Sequence, residues 1–323
     1  MILAGDVGGT KTKLALGSLH DGSLRLEQIR SFESRSYPSL AAVIEAYLAL
    51  VRAPVERACV GVAGPVLNGE AQVTNLPWRM SEQHLQRHLG IARVRLLNDL
   101  EALAYAVLVL GPQDLVVLQE GAAQPKGPIA LLAPGTGLGQ AYLCWDGQRH
   151  RPAASEGGHA DFAPNDALQD QLLGYLRAEY GHVSWERVLS GPGLHNIYRF
   201  LRSRGEEEPP AVKARLAAGD VSAAISELAL AKADPLCSQA LDLFVSILGA
   251  QAGNLALIYM ATGGVYLGGG IPPKILPQLR ESSFVHAFRG KGRLSPMLER
   301  IPVHVIVNEE APLLGAASCA LEL

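Results

Sequence analysis

Short runs of alternating apolar and polar positions at the N-terminus give way to helical spacing, the succession expected of an α/β chain. Met1–Ala4 reads as an apolar strand, Gly5-Asp6-Val7-Gly8-Gly9-Thr10 as a glycine-rich turn, and Thr12–Leu19 as a second strand. Asp21-Gly22 has hairpin-turn composition and leads into a third strand near Ser23–Arg30. Leu40, Val43, Ile44, Tyr47 and Leu48 recur at helical spacing, which predicts a helix over Ser39–Val51. Ala58–Val62 and Val94–Leu97 read as short buried strands, and a helix is expected over Leu100–Val109.

The same order then returns. Strand Ile129–Ala133 runs into Pro134-Gly135-Thr136-Gly137-Leu138-Gly139 and on into strand Gln140–Trp145. Both cycles place a Thr-containing glycine hairpin between two apolar strands, the pattern of two related α/β units facing each other across a cleft. Ala167–Met260 is mostly helical in pattern, with Leu194, Ile197, Tyr198 and Leu201 on one face and Pro235–Met260 as one long helix. Arg204–Pro210 is charged and Pro-rich, hence an exposed connection. Val265–Leu267 is a buried strand entering Gly268-Gly269-Gly270. The tail predicts strand Ile301–Val307 and a helix over Pro312–Leu321.

With 323 residues, 48% hydrophobic and 18% charged, the chain has room for two globular domains. A net charge of -3 argues against nucleic acid or an anionic membrane as partner. The apolar stretches Ala102–Leu118 and Leu236–Gly270 are broken by Gly111-Pro112, Asp242, Gln251 and Asn254, so they are expected to be buried elements rather than membrane spans. Met1 leads straight into a strand without the pattern of a secretion signal, and a cytoplasmic location is expected. The four cysteines show no CxxC spacing. Cys59, Cys144 and Cys319 are expected in the core, in a reduced compartment.

The glycine turns carry the first chemistry. Gly5–Thr10 lacks the Walker spacing, and a strand rather than a helix follows it, which excludes a Rossmann fingerprint. It is either a plain hairpin or one whose tip cradles phosphate with backbone N–H groups. In the second case Asp6 at the strand end could hold a hydrated Mg²⁺, with Thr10 and Lys11 nearby. Gly135-Thr136-Gly137 offers a second cradle, for the γ-phosphate. Gly268–Gly270 is either a flat wall for an adenine ring or a tight packing turn.

Asn98-Asp99 closes a strand and opens a helix, where ligands of α/β sheets sit, so Asp99 could accept a hydroxyl proton. Asn98 and Glu101 also match a capping box. Glu156-Gly157-Gly158-His159 offers a carboxylate and an imidazole to vicinal hydroxyls, or is a surface loop. Glu186, after Ser184, reads locally as a first-turn acid behind an N-cap.

Taken in order, LAGDVGGT (Leu3–Thr10), GVAGP (Gly61–Pro65), TNLP (Thr74–Pro77), LNDLEA (Leu97–Ala102), APGTGLG (Ala133–Gly139), EGGHADFAP (Glu156–Pro164), ERVLSGPGLHNIY (Glu186–Tyr198), Gly263–Pro272 and PLLGA (Pro312–Ala316) resemble the bacterial ATP-dependent glucokinase family of the hexokinase–actin superfamily. The resemblance implies an α/β, two-domain actin/hexokinase-like (ribonuclease H-like) fold with an interdomain cleft. Residues 1–110, completed by about 301–323, would form the small domain, and 111–300 the large one. It implies phosphorylation of D-glucose at the 6-hydroxyl by ATP with Mg²⁺, feeding glycolysis, in a homodimer. Asp99 looks like the family's base; Asn98, Glu156, His159 and Glu186 match its sugar ligands, and Asn75 lies in a segment that lines the same pocket. Gly5, Asp6, Val7, Gly8, Gly9, Thr10, Gly135, Thr136, Gly137, Gly268, Gly269 and Gly270 match its nucleotide loops.

Two positions depart from the pattern: Lys11-Thr12-Lys13 stands where many relatives have Asn-Ala-Arg, and Leu100 replaces a common Phe. The first departure is similar to the ROK sugar kinases, whose cysteine-rich zinc motif is missing here. Two alternatives remain: a kinase for another hexose (mannose, fructose or an N-acetylated amino sugar), and a sugar-responsive regulator. The second would need a DNA-binding domain, usually ahead of the first glycine loop, which here begins at residue 5.

Overall fold

In the computed structural model, which describes residues 1–73, 76–205 and 208–323, strand alternation sorts the N-terminal sheet into two faces. The first of two units comprises Met1–Asp114, Pro152–Ala154 and Asn308–Leu323. It is built from β1 (Ile2–Val7), β2 (Lys11–His20), β3 (Ser23–Glu33), α1 (Leu40–Val51), β4 (Arg57–Val62), the small strands β5 (Val66–Leu67), β6 (Glu70–Gln72) and β7 (Arg79–Ser81), α2 (Glu82–Leu89), β8 (Arg93–Asn98) and α3 (Asp99–Val107). The main sheet has the order β3-β2-β1-β4-β8. β2 and β3 join through Asp21 and Gly22, both at positive φ as a tight hairpin requires. Ser39 caps α1 by accepting the Ala42 N–H.

Period-two alternation turns Leu3, Val7, Val60 and Val62 toward Val43, Ile44 and Tyr47 of α1. Ile2, Ala4, Cys59 and Leu97 face the other way, onto α3 and the C-terminal helix.

The second unit comprises Leu115–Arg151 and Ser155–Val307. Its elements are β9 (Leu115–Gln119), β10 (Ile129–Pro134), β11 (Leu138–Trp145), β12 (His150–Ser155), α4 (Ala167–Tyr180), α5 (Gly191–Arg202), α6 (Pro210–Ala217), α7 (Val221–Leu230), α8 (Pro235–Ile258), β13 (Gly264–Leu267), α9 (Leu276–Leu279), α10 (Ser282–Arg289), α11 (Ser295–Leu298) and β14 (Val303–Ile306). The sheet order is β12-β11-β10-β13-β14-β9. The chain then re-enters the first unit as α12 (Ala311–Leu321). Each main sheet sets an antiparallel hairpin beside parallel strands: β1 pairs with β2 and β4 as β10 pairs with β11 and β13. This is the internal repeat read from the two glycine hairpins.

Among the described residues α8 is the one helix long and apolar enough to cross a membrane, yet its apolar window is 72% buried. Leu241, Phe244, Ile247 and Leu248 instead form the centre of the second unit's core.

Several expectations change. Gly5, Asp6 and Val7 lie within β1, because they pair with Leu14, Lys13 and Thr12, so only Gly8-Gly9-Thr10 remain at the hairpin tip. Cys144 is exposed, because alternation along β11 turns Leu143 inward and Cys144 outward. α3 begins at Asp99 and stops at Val107. Pro272-Pro273 opens a turn, and the next helix starts at Leu276.

Candidate functional site

In the first unit the parallel strands β1, β4 and β8 end level with one another. Val7 pairs with Val62, and Val62 with Asn98. α3 starts at once beyond this row, which puts Asp99 at its first position. Asn98 is pinned at both ends of its amide: Oδ1 accepts the Leu100 N–H at 2.9 Å, and Nδ2 donates to the Gly64 carbonyl at 3.1 Å. The capping box is only half made. Glu101 does not reach back to Asn98 but pairs with Arg95 at 3.2 Å, since that guanidinium projects from the same strand. One Asp99 oxygen, Oδ1, also accepts the Leu100 N–H, at 2.9 Å.

Asp6 lies on the Ile2/Ala4 face of β1, toward α3 and α12. Burial pushes its carboxyl up to about 6, the Asp99 charge adds to the shift, Lys13 opposes it and Glu310 adds to it. Lys13 is the cross-strand partner of Asp6 and pairs with Glu310 at 3.0 Å. Among the described residues no group of three His, Cys, Asp or Glu side chains is placed to share a metal ion. A single ionisable carboxylate fits a cation that keeps most of its waters and takes its other oxygens from phosphate, as Mg²⁺ does.

The first glycine tip is held by side chains that sequence reasoning missed. The Gly8 N–H donates to the Lys11 carbonyl at 2.9 Å. Buried Ser34 donates from Oγ to the Gly8 carbonyl at 3.0 Å and lies 3.0 Å from the Thr12 hydroxyl. Only the strand pairing of β2 with β3 brings Ser34 there. Thr10 and Lys11 stay exposed.

In the second unit three segments converge on the β10–β11 hairpin. The Gly135 N–H donates to the Gly137 carbonyl at 2.8 Å, which closes the tip, and Thr136 is exposed. Glu186 does stand in the first turn of a short 3-10 helix behind Ser184, but Ser184 is buried and caps nothing with its side chain, and Glu186 Oε2 accepts the Leu138 N–H at 2.9 Å. Glu156 precedes a single 3-10 turn that His159 ends; both are exposed, with Oε2 and Nε2 3.9 Å apart. Gly268–Gly270 packs on the same hairpin. The Gly268 N–H donates to the Leu132 carbonyl at 2.9 Å, and Gly269 has φ +79° with no room for a Cβ beside the Pro134 carbonyl. Gly268 is buried while Gly269 and Gly270 are exposed, so one run provides both a packing turn and a bare surface. Asn75 lies outside the described residues.

The molecule therefore carries two glycine hairpins of like topology, one beside a strand-end Asn-Asp pair and one gripping a carboxylate. This is the two-domain hexokinase-like class of α/β sugar kinases. The crystal structure of a glucokinase from an Antarctic psychrotroph superimposes with a TM-score of 0.90 at 35% identity, covering 100% of this chain and 99% of that one. A ROK-family glucokinase from Streptomyces griseus, in complex with glucose and AMPPNP, shares the fold at a TM-score of 0.65 and 22% identity, covering 100% of this chain and 99% of its own. The family model described as Glucokinase matches residues 3–323. A Nostoc glucokinase is 43% identical over 341 residues, covering 100% of this chain and 99% of its own. The chain belongs to the glucokinase family.

Proposed function

We propose that this protein transfers the γ-phosphoryl group of ATP to the 6-hydroxyl of D-glucose, giving glucose 6-phosphate and ADP. The observation that carries the reading is the placement of Asp99 at the first position of α3, just past the level ends of β1, β4 and β8, in a chain that matches the family from residue 3 to 323. Asp99 would take the hydroxyl proton as the sugar oxygen forms its bond to the γ-phosphorus and the bond to the leaving oxygen of ADP breaks. Glu156, His159 and Glu186 offer the carboxylates and imidazole that orient the remaining hydroxyls, and Asn98 lends its amide. Backbone N–H groups of Gly8–Thr10 and of Gly135–Gly137 are suited to phosphate oxygens. Gly269 and Gly270 leave a side-chain-free surface suited to a purine.

Asp6 would hold Mg²⁺ through water, and the bound cation would supply charge neutralisation on the phosphates. ATP as donor is supported by the AMPPNP complex of the Streptomyces griseus relative, and glucose as acceptor by the names of the relatives. A cytoplasmic homodimer, with the two units acting as the two domains of one kinase, completes the reading. Light scattering on the purified protein checks the dimer.

A matrix of sugars against phosphoryl donors, read by coupled ADP detection, tests the assignment. Glucose with MgATP should give the highest kcat/KM. A clear preference for another hexose would reassign the acceptor, and no turnover with any pair would remove the kinase reading.

A further inference from the structure

Leu138 is the residue on which the sugar-side segments of the second unit meet the glycine hairpin. Its N–H donates to Glu186 Oε2 at 2.9 Å. Its carbonyl oxygen lies so close under Gly158 that a Cβ there would overlap it. On the loop side, a Cβ at Gly137 would stand 2.5 Å from Glu186 Oε2, so the tip and the carboxylate are in direct contact. The same segment holds the hairpin a second time: the Gly191 N–H at the start of α5 donates to the Gly135 carbonyl at 2.8 Å. Glu186 is itself braced from behind. Ser190 Oγ donates to the Glu186 carbonyl at 2.7 Å and accepts the Gly193 N–H at 3.0 Å. Among the described residues Glu186 Oε1 makes no hydrogen bond, so one oxygen is engaged by the hairpin and the other is available to a hydroxyl.

We infer that Glu186 is a positioning residue for the Gly135–Gly137 loop, so that it sets nucleotide affinity even when no sugar is bound. The inference rests on the kinase reading above and adds to it a role that a hexose ligand alone would not have. A residue whose only task is to bind sugar leaves nucleotide binding in sugar-free solution unchanged. Glu186 holds the loop by a hydrogen bond to a charged acceptor, and its loss frees the tip to sample other conformations. Because one carboxylate serves both sites, hexose and nucleotide binding are coupled, and by linkage the effect runs equally in both directions.

The test is titration calorimetry of Mg·AMPPNP without sugar, and of glucose without nucleotide, on the full chain as wild type, Glu186→Ala, Glu186→Gln and Gly158→Ala. Thermal unfolding confirms that each variant is folded. Glu186→Ala should weaken AMPPNP binding roughly tenfold, the weight of one hydrogen bond to a charged acceptor. Glu186→Gln keeps an acceptor oxygen and should restore most of that loss. Gly158→Ala displaces the Leu138 carbonyl from the opposite side and should weaken AMPPNP without removing any sugar-binding side chain. If Gly158→Ala does not fold, the Ala and Gln variants of Glu186 decide alone. Wild-type AMPPNP affinity in sugar-free Glu186→Ala overturns the inference and leaves the kinase reading standing. A wild-type protein that binds neither glucose nor AMPPNP overturns both.

Discussion

Lys13 Nζ lies 3.0 Å from Glu310 Oε1, joining the second strand to the N-cap of the last helix across 297 residues of sequence. The pair stands beside Asp6, which faces Lys13 across the β1–β2 ladder. The other Glu310 oxygen is buried and has no hydrogen-bond partner in the described structure. Asp6 thus feels the negative charges of Asp99 and Glu310, opposed by Lys13. Such crowding costs stability.

The pH dependence of stability should carry this signature. Asp6 in the folded chain keeps its proton up to about pH 6, against about 3.8 for an aspartate in water. Between those values the native state binds more protons than the unfolded state, so stability falls as pH rises through the window and the full penalty stands above it. Asp6→Asn removes the penalty. The variant should melt a few degrees above wild type at pH 8, with the gap closing toward pH 4, as read by calorimetry. A melting point equal to wild type at every pH would refute the buried-charge account.

Asp99→Asn should lower kcat by roughly a hundredfold to ten-thousandfold, the usual weight of a general base, while glucose binding by calorimetry changes little. The hydrogen bond from the Leu100 N–H can still be accepted by the amide oxygen, so the start of α3 survives. Near-normal turnover in this variant would remove Asp99 from the chemistry.

Ser34→Ala should act on the first glycine loop from a distance. The Ser34 hydroxyl bridges the Gly8 carbonyl and Thr12 in a buried site, and its loss leaves polar atoms unpaired at a cost of about 1–3 kcal/mol. The expected readout is a lower melting temperature with a raised KM for ATP and an unchanged KM for glucose. Equal increases in both KM values would mean general loosening instead.

Gly315→Ala should be among the most damaging single substitutions in the first unit. Its Cβ would overlap the Ala102 carbonyl, because α12 crosses α3 at that point. Overpacking of this kind costs about 1–3 kcal/mol or more, and the helix must shift away from Asp99 to accept it. Both melting temperature and kcat should fall, in contrast to Ser34→Ala.

Much of the architecture was readable from local pattern. Helical spacing placed α1 within a residue of where it stands. The two Thr-containing glycine hairpins announced the repeat that the sheets then display. The strand-to-helix step at Asn98-Asp99 needed only an apolar run ending in residues that favour helix starts. The misreadings are equally physical. Gly5-Asp6-Val7 looked like a turn because glycine dominated the local signal, whereas pairing with Leu14, Lys13 and Thr12 keeps it in the sheet. Cys144 looked like core because an apolar run does not say which of its two faces is covered.

What the sequence determined by itself was therefore periodic and local: the strands, the helices, the glycine tips and the residue types able to do the chemistry. Tertiary structure alone decided their partners. It gave Glu186 a backbone N–H from 48 residues away, Ser34 the Gly8 carbonyl from 26 residues away, and Lys13 a carboxylate from the far end of the chain. Spacing along a chain encodes dihedral preference and amphipathicity, which act over a few residues. Contacts at long separation exist only once the sheets have formed and closed the intervening loops.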